Sequence, residues 1–491
     1  MSTPVADPRP SLATRDWRML VGGELSADAP AGMTVVDPST GHEIAQVPAA
    51  GPDEVDRAAR AAADAAGDWA RMGARARAEA LTGLADAVLA HEDELAVLDA
   101  IDGGNPVTAM RSDVRLAAAL LRFAAASALE LRGETIPGAT DHLHYTLREP
   151  YGVVARIVAY NHPIMFAAGK VASALVAGNA VVLKAPDQTP LSALRLGEIA
   201  ADLLPPGVLN VVTGHGTVAG DALVRHPAVR RIAFIGSVAT GRAIQRAAAE
   251  SAVKHVTLEL GGKNSCVICA DADPAAAAHG AVHGMNFHWT GGQSCGSTSR
   301  LLVHEALYDE VLERVLDEVS RVRVGAPLDP ESEMGPMVSA AHRDRVLAAV
   351  AHAVSEGARV AAGDGAPPGL DAGYYVAPTV LVDVAAGARV GREEVFGPVL
   401  AVTRVRDDDE AVRLANDTPY GLTASVWTRD LARAHGLAHR LDAGYVWVNC
   451  ASTHFWGTPF GGVKDSGVGR EEGADEVASY TQTRTVNVRL A

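Results

Sequence analysis

YGVVARIVAYNHPIMFAAGKVASALVAGNAVVLKAPDQTPLSALRLGEIAADLLPPGVLNVVTG, residues 151–214, is the stretch that decides the fold. GVVARIVAY, NAVVLKAP and GVLNVVTG are short β-branched apolar runs, and each read as a strand. Between them, PIMFAAGKVASALVAG and SALRLGEIAADLLP have the length and composition of helices. Strand and helix alternate, which predicts a parallel sheet covered by helices. The rhythm continues through RRIAFIGS, the helix VATGRAIQRAAAE and the strand KHVTLEL, and it starts again after Gly262 with NSCVICADAD. A second α/β lobe is therefore expected. Its later pieces include the helix HEALYDEVLERVLDEV, the loop AAGDGAPPGLDAGYY and the strands PTVLVDV and SVWT.

Outward from this core, Asp53 to Ala100 is Ala-rich, free of proline and charged at helical spacing, which predicts long amphipathic helices. GETIPGATDHLHYTLREP alternates apolar and polar residues and suits a two-stranded excursion; the tail TRTVNVRL has the same period. The 491 residues suffice for about three lobes or an elaborated two-lobe enzyme. Lys and Arg number 43 against 59 Asp and Glu, and the resulting net charge of −16 argues against nucleic acid or an anionic membrane as partner. Four cysteines are too few for a disulfide framework, and no apolar signal region opens the chain, so the expected location is the cytoplasm.

Several segments could carry chemistry. Phe234 to Gly241, FIGSVATG, places glycines where a strand yields to a helix, a geometry that lets a diphosphate approach backbone N–H groups. The usual three-glycine fingerprint is missing, so an ordinary tight turn is the competing reading. Lys184 and Asp187 follow the strand AVVL and could hold the two hydroxyls of an adenosine ribose, or form a solvated loop pair. Cys295 in GGQSCG has little bulk around its sulfur, and exposed N–H groups in such a loop favour a thiolate. Cys266 and Cys269 form a C-x-x-C on a strand; positions three apart face opposite sides, so they are expected to be core filling, and no metal site is expected. Glu259 ends HVTLEL as either a capping charge or a partly desolvated base, and Asn161 is either a turn residue or an amide donor.

Together these segments resemble the aldehyde dehydrogenase superfamily over nearly the whole chain. The matching pieces are YNHP (160–163), LKAPDQTP (183–190), FIGSVATG (234–241), LELGGKN (258–264), GGQSC (291–295), EEVFGPV (393–399) and PFGGVKDSGVGRE (459–471). Each is moderate alone; seven in the right order are specific. The resemblance implies an α/β fold with a Rossmann-type NAD-binding lobe (1–127 and 151–262), a catalytic lobe (263–465) and a β-hairpin oligomerisation element (128–150 and 466–491), hence a homodimer or homotetramer.

It also implies roles. Cys295 would attack an aldehyde, Asn161 would hold the oxyanion, and Glu259 would activate the water that hydrolyses the resulting thioester. Lys184 and Asp187 would hold the adenosine ribose, Gly236 and Ser237 the diphosphate, and Glu394 with Phe396 the nicotinamide ribose. Asp187 would repel a 2′-phosphate, favouring NAD over NADP. The substrate pocket would be walled by His162, Phe166, Trp289, Phe455 and Trp456, suiting an apolar or aromatic aldehyde, with betaine aldehyde the alternative through cation–π contacts. Gly169, where betaine-oxidising relatives carry an aromatic, suggests a roomier tunnel. A CoA-acylating enzyme and a non-catalytic NAD-binding protein are the rival functions, and the intact Glu259 and Cys295 argue against them.

Overall fold

The computed structural model describes residues 8–363 and 365–490. Two large sheets organise them. In the first, the runs Val153–Ile157, Ala180–Lys184, Leu209–Val212, Val229–Ile235 and His255–Glu259 lie parallel, in the spatial order 255–259, 229–235, 153–157, 180–184, 209–212. The chain thus winds one way from 153–157 and then returns to the other side of it. That reversal opens a crevice at the carboxyl ends of the strands, where open α/β sheets bind ligands. Strands 153–157 and 180–184 are buried throughout, which explains their continuous apolar character. Met19–Val21 and Glu24–Ser26 extend one edge in antiparallel fashion.

The second sheet runs in the order 359–362, 379–382, 399–405, 300–304, 265–268, 423–427, 445–448, and all but its first pair are parallel. Its two faces carry separate cores. Cys266 packs with Val311 and Val315 on one face, and Cys269 with Val412 and Leu437 on the other. The two thiols therefore point apart, and burial pushes each up to about 12.

A third sheet joins Thr135–Ile136, His142–Pro150 and Thr481–Arg489, with Thr481 opposite Pro150 and Arg489 opposite His142. Ile136, Leu143 and Leu147 are exposed on it. The segment 466–491 does not act as one piece, however. Gly467–Val468 pairs with Leu258 and Glu259 at the edge of the first sheet, because the chain must pass there before reaching the hairpin.

Two expectations change. Residues 163–178 do not form one helix: a wide π-helical turn, Met165–Gly169, precedes a short α-helix, Ala172–Val176. Nor does Gly169 open a tunnel. A Cβ placed on it would meet Leu120 Cδ1 at 2.6 Å, so the missing side chain is replaced by close packing against the helix Val107–Ala126. Among the described residues no helix is long and apolar enough to cross a membrane.

Candidate functional site

A cleft of about 1020 Å³ occupies the crevice at the carboxyl ends of the first sheet. Asn161, Lys184, Asp187, Gly236, Ser237, Glu259, Cys295, Glu394 and Phe396 all line it. The strands explain the convergence: Asn161 follows 153–157, Lys184 ends 180–184, Gly236 follows 229–235 and Glu259 ends 255–259. Cys295 arrives from the other sheet, in the loop just before strand 300–304.

At one end, Lys184 Nζ is bonded to the Asp187 carboxylate, whose second oxygen accepts the Gly216 N–H at 3.2 Å. Next to them Ser237 caps the helix Val238–Ser251, its Oγ accepting the Thr240 N–H at 3.3 Å. The first turn of that helix presents its unbonded N–H groups to the cleft, an arrangement suited to a diphosphate. A Cβ on Gly236 would lie 2.4 Å from the Phe234 ring, so a side chain there would disturb this floor. The cleft thus has the volume, the polar pair at one end and the helix N-terminus in its middle that a dinucleotide requires.

At the other end the two sheets meet. Glu394 accepts the Gly262 N–H at 2.8 Å, and burial pushes its carboxyl up to about 7. A Cβ on Gly261 would collide with Glu394 at 2.1 Å, so glycine is required for the approach. Phe396 packs edge-on to Tyr160, with ring centroids 5.9 Å apart.

The thiol loop is stapled from behind. Asn264 donates to the carbonyl of Cys295 at 2.7 Å and to that of Ser297 at 2.9 Å, while its own oxygen accepts the Thr423 N–H at 3.0 Å. Gly292 holds φ at 75°, and a Cβ there would lie 2.4 Å from the Gly397 carbonyl. Cys295 is half-buried, and burial pushes its thiol up to about 12. A nucleophilic thiolate at neutral pH therefore needs a base.

Glu259 has the attributes of one. It is 7% exposed, and its Oε2 accepts no hydrogen bond among the described residues. Burial first, and repulsion from Glu471 second, push its carboxyl well above the usual range, with Lys170 opposing. Asn161 is fixed through its main chain: its carbonyl accepts Asn105 Nδ2 at 3.0 Å, and its side-chain amide makes no hydrogen bond to protein among the described residues. Behind Glu259 lies a buried charge network. Glu471 bridges Arg156 at 2.7 Å and Lys170 at 2.9 Å, and Lys170 also reaches Glu472 at 3.2 Å. Burial works against ionisation of Glu471 and Glu472, but the cations outweigh it and hold both carboxyls at about 2.

The five residues expected to wall a substrate pocket lie outside the cleft lining. His162, Phe166 and Trp289 form one cluster, with the His162 ring 5.4 Å from Phe166 and 5.3 Å from Trp289. Phe455 and Trp456 are instead exposed, at 58% and 40%, because their loop runs along the surface. Sequence reasoning passed over Asn105, Asp113, Asn264 and Glu472. Asn264 had a signal, its place in LELGGKN; the other three act through contacts that local sequence does not encode.

Comparison with known proteins gives a consistent family. The aldehyde dehydrogenase family model matches residues 25–486. The chain is 44% identical over 464 residues to the aldehyde dehydrogenase tropH of Talaromyces stipitatus, covering 93% of this chain and 90% of that one. Among solved structures, PnpE from Pseudomonas sp. WBC-3 superposes with a TM-score of 0.94 at 41% identity, over 97% of this chain and 98% of the other. An aldehyde dehydrogenase from Bacillus cereus, solved as an NAD+ complex, gives a TM-score of 0.96 at 37% identity over 100% of both chains.

Proposed function

The chain belongs to the aldehyde dehydrogenase family, and from that premise we propose that it oxidises an aldehyde to a carboxylic acid with NAD, through a covalent adduct on Cys295. The observation that carries this reading is the cleft itself, whose lining includes Cys295, Glu259 and Asn161 together with Lys184, Asp187 and Ser237. The NAD-bound Bacillus cereus relative supports the choice of cofactor. Lys184 and Asp187 hold the adenosine ribose, the Gly236–Ser237 turn the diphosphate, and Glu394 with Phe396 the nicotinamide ribose. Asp187 repels a 2′-phosphate, which favours NAD over NADP.

Glu259 takes the proton of the Cys295 thiol, and the sulfur adds to the aldehyde carbon. The oxyanion that develops is met by the Asn161 amide and the Cys295 N–H; one such donor is worth about 100- to 1000-fold in rate. Bound NAD supplies the hydride acceptor. Once Glu259 has passed the thiol proton to solvent, it deprotonates the water that hydrolyses the remaining thioester and returns that proton to the departing Cys295 sulfur, which regenerates both thiol and carboxylate. The free Oε2 of Glu259 supports hydrolysis over transfer to CoA.

The His162, Phe166 and Trp289 cluster supports an aromatic or apolar aldehyde as substrate. The open edge of strand 481–489 and the exposed Leu143 and Leu147 support assembly into a homodimer or homotetramer. Four free thiols fit the reducing cytoplasm. The test is NADH formation from a panel of aldehydes, with the product analysed in the presence of CoA. Free acid with stoichiometric NADH is expected. Acyl-CoA as the main product, or no NADH from any aldehyde, overturns the reading.

A further inference from the structure

The N-terminal end of the helix Ala340–Ser355 touches two segments on which the oxidation depends, yet the steps above use none of its residues. Its first turn is capped by Ser339, whose Oγ accepts the His342 N–H at 3.2 Å. Just before the cap, the Val338 N–H donates to Oε1 of the buried Gln293 at 3.0 Å, which ties the helix to the loop that carries Cys295. On its other side the helix reaches Phe396. His342 is 4% exposed, and its Nε2 lies 2.7 Å from the Phe396 carbonyl. A carbonyl only accepts, so Nε2 carries the proton, and Nδ1 accepts from Arg345 Nη2 at 3.1 Å. Both ring nitrogens are thus assigned by their partners. Burial first pushes the imidazole down to about 4, with the Arg345 charge adding to it and the Phe396 carbonyl opposing, so the ring is neutral near pH 7.

Phe396 needs such a hold. Its φ of 55° is left-handed, a conformation that a bulky side chain keeps only under constraint from its surroundings. The Phe396 ring lies 6.1 Å from that of His342 and 5.9 Å from that of Tyr160. Two residues earlier, Glu394 is pinned by the Gly262 N–H at 2.8 Å, so the segment 394–396 is held at both ends. Tyr160, His342, Arg345, Glu394 and Phe396 all line the nucleotide cleft. Resting on the assignment of Glu394 and Phe396 to the nicotinamide end of NAD, we propose that His342 is a positioning residue: its hydrogen bond to the Phe396 carbonyl holds the segment 394–396 in the strained conformation that receives the cofactor, in register with Cys295 through Gln293. Without that bond the carbonyl is left unpaired and Phe396 relaxes toward negative φ. The receptive conformation then becomes a minor one, and the affinity for NAD falls by its fraction.

The test is calorimetric titration of NAD into the full chain as wild type, His342→Gln and His342→Leu, with KM for NAD and kcat measured alongside. Gln keeps an N–H donor at similar reach, whereas Leu fills the buried space without one. The Kd for NAD should rise about 10-fold in His342→Leu and stay within about 3-fold of wild type in His342→Gln. At saturating NAD, kcat should hold within about 3-fold in both, because the bound cofactor restores the receptive conformation. Wild-type affinity in His342→Leu, an affinity in His342→Gln as weak as in His342→Leu, or a loss confined to kcat and thermal stability would overturn the proposal; the last is the mark of a merely structural role. If His342→Leu fails to fold, a crystal structure of the wild type with NAD decides. Phe396 at positive φ with Nε2 within about 3.2 Å of its carbonyl is expected, and negative φ or a carbonyl turned away from His342 refutes the proposal. A wild type that binds NAD but oxidises no aldehyde sinks the oxidation reading and leaves the comparison of Kd values to decide the role of His342; a wild type that binds no NAD sinks both.

Discussion

Replacing Glu259 by Gln separates the two halves of the proposed reaction. The substitution is nearly isosteric, and Oε2 accepts no hydrogen bond, so the new amide forfeits no protein contact there. Burial and Glu471 both disfavour the charged carboxylate, so neutralising it removes an unfavourable term and thermal stability should hold or rise slightly. Turnover should not hold. A positioned general base contributes about 100- to 10,000-fold, and steady-state kcat should fall within that range. Because burial and Glu471 push the carboxyl above its usual range, its ionised fraction grows as pH rises, so wild-type kcat should climb with pH while the variant stays nearly flat. Rapid-mixing fluorescence of NADH is the assay. The variant should release its first equivalent of NADH more slowly, since the thiol has lost its base, and should then stall with the acyl group on Cys295, since water is far less acidic than a thiol and depends on the base more. Unchanged turnover, or a wild-type rate that falls as pH rises, would refute the role of Glu259.

Three further outcomes follow from the same geometry. Asp187→Ala should raise the NADP-to-NAD ratio of kcat/KM by about 5- to 10-fold, since two like charges at about 4 Å in a water-like medium repel by about 1 kcal/mol; initial rates with both cofactors check this. Lys170→Met leaves Glu471 and Glu472 buried with one cation fewer and should destabilise the fold by about 3–5 kcal/mol, read by thermal unfolding. Both carboxyls are held low in the folded state, so their contribution is present at neutral pH and is lost as pH falls below about 4 toward their folded value of about 2. Leu143→Asp with Leu147→Asp places charge on the exposed face of the hairpin and should yield a smaller species in light scattering after size-exclusion chromatography.

What was legible in the sequence follows the range of the physics involved. The apolar runs of 151–214 announced parallel strands because burial on both faces demands such runs, and the residues at their carboxyl ends came with them. The opposed faces of Cys266 and Cys269 followed from the period of a strand alone. Asp113 was not legible, since nothing local tells a helical aspartate that His162 and Trp289 will close on it from distant segments. Glu472 was hidden for the same reason, its partners Lys170 and His454 being set by tertiary packing. Gly169 misled because a missing side chain reads as space, whereas Leu120 fills it. The π-helical turn at 165–169 escaped because its composition is that of an ordinary helix.

The most direct measurement is intact-mass and peptide analysis of the protein quenched during turnover of an aldehyde with NAD, using Glu259→Gln to let the adduct accumulate. An acyl group should appear on the peptide containing Cys295, only when NAD is present, and should vanish in Cys295→Ala together with NADH formation. Turnover that persists in Cys295→Ala, or an adduct on another residue, would contradict the account.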